Sequence, residues 1–86
     1  MANTNQEVLT ILRLKHVKNC TGLSRSTIYL RIREGTFPRP VSLGLRAVGW
    51  PSTEVAAINA ARIAGNTDEE IRSLVKKLEA ARKMFN

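Results

Sequence analysis

The chain has 86 residues, 43% hydrophobic, with 14 basic against 7 acidic residues and a formal charge of +7. That length suits one small core rather than two, and no apolar run approaches the ~18 residues of a membrane span. The start, MANTNQEV, lacks the basic-then-apolar pattern of a secretory signal, and Cys20 is the single cysteine, which excludes an internal disulfide and fits a reducing cytoplasm.

The charge is unevenly spread. Between Arg13 and Arg46 stand eight basic residues and one acid, Glu34, while the remainder carries six of each. The whole excess falls on one segment, as a polyanion partner requires.

Residues 1–8 are polar and aperiodic and read as a mobile tail. Leu9 to Leu14 reads as a short strand. Lys15 to Cys20 reads as a first helix, with Val17 inward, His16 and Lys18 outward, and Cys20 as a small buried side chain. A solitary His16 has no partner for metal or acid–base work.

Thr21 to Gly35, TGLSRSTIYLRIREG, is the segment the chain is organised around. Gly22 suits a tight turn, Ser24 is an N-cap candidate, and Gly35 suits a helix end. Over Arg25 to Glu34, Ile28 and Ile32 share one face, while Arg25, Ser26, Tyr29 and Arg33 fall on another. A short helix of this kind, entered through a glycine turn, has the form of a DNA-reading helix in a helix-turn-helix. The competing reading is an ordinary solvated face.

Pro38 and Pro40 stop the helix and hold the chain extended. VSLGLRAVGW then reads as a β-hairpin, Val41 to Leu43 and Arg46 to Trp50, turning at Gly44–Leu45. This is a wing. Arg46 near its tip either meets phosphate or the minor groove, or only keeps the turn soluble. Trp50 reads as core, packed on Val55 or Ile58 of a helix that Ser52 caps and that runs out at Gly65–Asn66.

Thr67 to Glu70 is a capping box with acids at the positive helix end. Ile71, Leu74, Val75 and Leu78 follow as an apolar stripe, continued by Ala81 and Phe85. The stripe either folds back on the wing domain or pairs with another copy; folding back leaves no exposed patch and is preferred.

Laid out in this way, the chain resembles the AlpA family of phage and genomic-island regulators, themselves similar to excisionase and MerR-type domains. The resemblance spans about Leu12 to Ala61 and is carried by TGLSRSTIY (Thr21 to Tyr29), EG-x-FP-x-PV (Glu34 to Val41) and LG-x-RAVGW (Leu43 to Trp50). It implies a mainly α fold with a small β-hairpin wing, a winged helix-turn-helix with an added C-terminal helix. The expected organisation is a tail (1–8), a DNA-binding domain (9–65) and an amphipathic helix (66–86). By position it implies DNA contacts from Arg25, Ser26, Thr27, Tyr29 and Arg33 on the second helix, Arg31 on phosphate, and Arg46 on the wing. Leu30–Arg31 reverses the family's usual Arg-Leu order, which leaves open which of the two faces the core. The family's tryptophan after the wing is missing, with Asn59 nearby.

The implied partner is double-stranded DNA, bound without cofactor or metal, with self-association or cooperative assembly making up for one small domain's few contacts. The implied role is transcriptional control of integrase or excision genes, or action as a recombination directionality factor. An enzyme is not expected: Tyr29 between Arg25 and Arg33 superficially suggests a tyrosine nucleophile, but the chain is short for a recombinase and lacks paired carboxylates, a phosphate loop and a nucleophile set. The remaining alternative is a protein-interaction adaptor on a winged fold.

Overall fold

The computed structural model describes residues 9–85, with side chains through Met84. The expected tail and the expected place of the Phe85 side chain lie outside the described residues. Strand β1 (Ile11–Leu12) leads into α1 (Leu14–Thr21) and α2 (Arg25–Glu34). Strands β2 (Val41–Gly44) and β3 (Ala47–Pro51) follow, then α3 (Ser52–Ile63), α4 (Asp68–Ala81) and a 3-10 turn at Arg82–Phe85. The strands form an antiparallel sheet in the order β1-β3-β2. This is the expected class, mainly α with a hairpin wing.

Local signals set most of the boundaries. Ser24 caps α2 by accepting from the Thr27 amide, and Gly35 ends it in the left-handed region at φ 83°. In α4 both bonds of the capping box form, Glu70 N–H to Thr67 Oγ1 at 3.2 Å and Thr67 N–H to Glu70 Oε1 at 2.8 Å. The strand expected over Leu9 to Leu14 shortens to two residues because Leu14 already begins α1. Arg13 precedes that helix in extended conformation, its carbonyl accepting from the His16 and Val17 amides.

The core gathers one to three side chains from each helix: Val17 from α1, Ile28 from α2, Val55, Ile58 and Ala61 from α3, and Ile71 and Val75 from α4. Trp50 is fully buried among them. Its indole Nε1 donates to the Pro38 carbonyl at 2.9 Å, and its ring meets Tyr29 and Phe37 edge-on at centroid distances of 6.3 and 6.4 Å.

Three local expectations fail, the first two for a long-range reason. Cys20 is exposed; its carbonyl, not its thiol, meets α3, accepting from Asn59 Nδ2 at 2.9 Å. Ser52 does not cap α3, because its amide donates to the Thr10 carbonyl at 2.8 Å and Pro51 takes the cap position without a side-chain bond. The hairpin turns at Leu45–Arg46 rather than Gly44–Leu45. An irregularity between Ser42 and Gly44 sets two steps of β2 against one of β3, which moves the corner one residue on.

The amphipathic α4 folds back as preferred, burying Ile71 and Val75 with Leu74 and Leu78 packed beside them. Its polar side holds other elements in place. Arg72 Nε donates to the Glu34 carbonyl at the end of α2 at 2.9 Å, and Glu79 accepts from the Arg39 amide at 2.8 Å. Beyond it, Arg82 donates to both carboxylate oxygens of the buried Glu54, at 2.9 and 2.6 Å, and also to the Arg39 carbonyl. Among the described residues no helix is long and apolar enough to cross a membrane.

The side-chain hydrogen bonds to Glu54 raise the Arg82 pKa above its ordinary range, against the opposing effect of burial. A raised folded-state pKa contributes stability that is complete below the ordinary arginine range and is lost only as pH climbs above it. Arg82 therefore keeps its charge at neutral and alkaline working pH. Arg82→Ala strands a carboxylate that is 4% exposed, and urea unfolding is expected to register a loss of about 3 kcal/mol. Adding Glu54→Gln should recover a good part of that loss; a double mutant no more stable than Arg82→Ala would show that packing rather than charge pairing dominates.

Candidate nucleic-acid interface

The entry to α2 is held by its own side chains. Thr21 Oγ1 donates to the Val17 carbonyl at 2.8 Å and accepts from the Leu23 amide at 3.2 Å. Gly22 sits between them at φ 74°, a conformation that costs most residues about 1 kcal/mol or more, and its amide ends α1 on the Lys18 carbonyl. Ser24 then fastens the other side of the turn, its hydroxyl donating to Thr27 Oγ1 at 3.0 Å. Leu23 packs on the core beneath.

The helix divides the sequence-predicted residues into three groups. With Ile28 buried and Ile32 half-buried, the opposite side carries the exposed Ser26 and Arg33, while Arg25 is exposed in the first turn beside Tyr29. Tyr29 borders this side half-buried, its ring edge against Trp50, and the Arg25 guanidinium lies 5.6 Å from its centroid. Such a cation–π contact fixes the arginine's direction. Thr27 and Arg31 lie on the other flank, toward α3. Thr27 belongs to the cap network, and the half-buried Arg31 lines a cleft of about 200 Å³ with Thr21, Leu23, Ile58 and Arg62. Arg46 stands apart at the wing tip, exposed.

The question left by Leu30–Arg31 resolves without either residue entering the core: Leu30 is 45% exposed and Arg31 half-buried. Leu30 was passed over in the sequence reading. The signal was its helical offset, one turn after Ser26 and three residues before Arg33, which puts it on their side.

Ion pairing reinforces this division. Among the described residues the ion pairs are Arg39–Glu79, Arg62–Asp68, Arg72–Glu69 and Arg82–Glu54. Arg25, Arg31, Arg33 and Arg46 take part in none of them. Apart from Glu34 at the end of α2, the described acids are engaged around α3 and α4, so the arginines of α2 and the wing tip are left without an ion pair. Among the described residues no His, Cys, Asp and Glu cluster could hold a metal.

At the wing tip Arg46 adopts φ 61°, the one non-glycine residue with positive φ among those described. A glycine is the ordinary occupant of such a position, yet here the side chain is a long cation projected from the corner.

A capped helix presented through a glycine turn, with a β-hairpin beside it, is a winged helix-turn-helix. The chain belongs to the AlpA family: the family described as prophage CP4-57 regulatory protein (AlpA) matches residues 10–62, more than half the chain and everything from β1 nearly to the end of α3. Over 54 residues the chain is 56% identical to protein ORF88 of Enterobacteria phage P4, covering 63% of this chain and 61% of that protein. It therefore spans less than two thirds of that relative. It is 37% identical over 57 residues to the DNA-binding transcriptional activator AlpA of Escherichia coli strain K12, covering 59% of this chain and 81% of that protein. No solved structure matches the chain.

Backbone strain at the wing tip leads to a stability prediction. Arg46→Gly is expected to raise unfolding free energy by about 1 kcal/mol, the usual cost of a side chain in the left-handed region. A urea midpoint that stays put or falls would show that the arginine makes compensating contacts.

Proposed function

We propose that this chain is a sequence-specific DNA-binding regulator of a prophage or integrated island. In this reading α2 lies in the major groove and the β2–β3 wing lies along the adjacent backbone. The observation that carries it is the exposed polar set of α2: Ser26 and Arg33 on the outward face and Arg25 exposed in the first turn, with no ion pair to either arginine, on a helix whose entry is pinned by Thr21 and Ser24. The names of the relatives, a transcriptional activator and a phage protein, support the same class.

The roles follow from side-chain chemistry. Arg25, held against Tyr29, presents a planar fork suited to guanine O6 and N7, and Ser26 can donate to or accept from a neighbouring base edge. Arg33 at the far end of the helix and Arg46 at the wing tip are suited to phosphate, which sets register without reading sequence. Thr27 and Arg31, on the flank, serve backbone contacts in the same way. Tyr29 acts mainly by positioning Arg25. Binding is stoichiometric. One such domain makes few base contacts, so copies assemble on repeated sites.

At a promoter such a protein regulates integrase or excision genes; at an attachment site it acts as a recombination directionality factor. Footprinting separates these roles, since clustered direct repeats beside an attachment site assign the second and a lone promoter site the first.

The test is a gel-shift titration on DNA flanking the protein's own gene, with scrambled DNA as control and salt varied. Preference for one site, with a salt slope of several ions, is expected. Arg25→Ala should weaken that site about tenfold or more while leaving scrambled DNA nearly unaffected. Arg46→Gly should weaken all DNA alike and reduce the salt slope by about one. Equal weak binding to both DNAs would sink the reading and favour a protein-interaction adaptor.

A further inference from the structure

Leu30 is the one large apolar side chain on the outward half of α2. Residues in a helix advance about 100° each, so Leu30 lies about 200° from both Ile28 and Ile32, the residues that turn inward. It belongs neither to the buried core nor to the apolar residues packed against it, and 45% of it is exposed. Its neighbours on that side are Ser26 one turn before, and Arg33 and Glu34 about one turn after, all polar. A single exposed leucine elsewhere on a protein would carry no argument. On the proposed reading it stands in the middle of the surface that faces a base-pair stack, with nearly half of it left open to a partner.

The major-groove edges of the four bases offer donors and acceptors, and a single apolar group, the 5-methyl of thymine. We infer that Leu30 is a specificity-determining residue that packs against a thymine methyl, an inference resting on the reading of α2 as the groove helix. Spacing narrows the place of that thymine. Side chains three or four apart on a helix are about 5–6 Å apart, and base pairs rise about 3.4 Å. The thymine therefore lies one or two base pairs from the base met by Ser26.

Thymine-to-deoxyuridine scanning tests this, because deoxyuridine keeps every hydrogen-bonding group and lacks only the methyl. On the selected site, one such replacement should weaken the wild-type protein about fourfold, the weight of one buried methyl group. Leu30→Ala, which removes an exposed side chain and should leave the urea midpoint near wild type, is expected to bind the thymine site with a similar loss. It should be indifferent to that same replacement. Leu30→Arg should shift the preference at that position toward guanine. The inference is overturned if no thymine of a specifically bound site is sensitive, or if Leu30→Ala keeps the wild-type sensitivity. Failure of the wild type to prefer any site would overturn the groove reading itself, which is a distinguishable result.

Discussion

The indole of Trp50 is the contact on which the rest of the structure depends. One ring joins the three parts that must be placed relative to each other: α2 through Tyr29, the linker through Phe37 and the Pro38 carbonyl, and the sheet through its own strand, where it pairs with Leu12. The linker has two prolines and can supply carbonyls but few amides, so a buried donor reaching Pro38 suits what the segment has to offer. The same ring reaches the surface in two steps. Trp50 fixes Tyr29, and Tyr29 carries the Arg25 guanidinium. The direction of an exposed arginine is thus set by the packing of a core with few aromatic residues.

Electrostatics divides the molecule into two regions. Four of the five acids of α3 and α4 pair with arginines, Glu54 with Arg82, Glu79 with Arg39, Asp68 with Arg62 and Glu69 with Arg72, and the fifth, Glu70, closes the capping box. Three of these four acids lie in α4, beyond the residues that match the family. That helix therefore secures the end of α2 and the linker without drawing charge from α2 itself. A cation that is not spent on folding stays available for a partner, and here such cations include the exposed arginines of α2 and the one at the wing tip.

Those parts of the fold encoded within one helical turn were legible in the sequence. The Ser24 cap, the Gly35 stop, the Thr67–Glu70 box and the Ile71-to-Leu78 stripe each need only residues three or four apart, and each formed as read. What was not legible depends on partners far along the chain. Asn59 claims the Cys20 carbonyl from 39 residues away, and Thr10 claims the Ser52 amide; the hairpin corner moved instead through a local register irregularity between β2 and β3. The candidate site divides in the same way. Helical offset puts Ser26 and Arg33 together but sets Arg25 nearly in line with Ile32, whereas the placing of Arg25 against a Tyr29 held by Trp50 required knowing where Trp50 would lie. Leu30 was available from its offset but was obscured by comparison with the family's residue order.

On the proposed reading, this geometry also separates affinity from specificity. An arginine gives up about 2 kcal/mol of rotamer freedom when it is immobilised. Arg25 has already given up part of that freedom, because its guanidinium is placed over a tyrosine that is itself held by the core. The free-energy difference between a matching and a mismatching base then falls on a fork that is already aimed, the condition under which a contact discriminates rather than merely attracts. Arg33 makes no comparable stacking contact, and Arg46 projects from a turn corner, so both can follow a phosphate wherever the backbone runs. Their contribution is tolerant of sequence and sensitive to salt. Leu30 lies between these two behaviours, on the rigid helix but with no hydrogen-bonding group of its own. Its only means of telling bases apart is shape, and among the base edges in the major groove a methyl group is the feature that shape can detect.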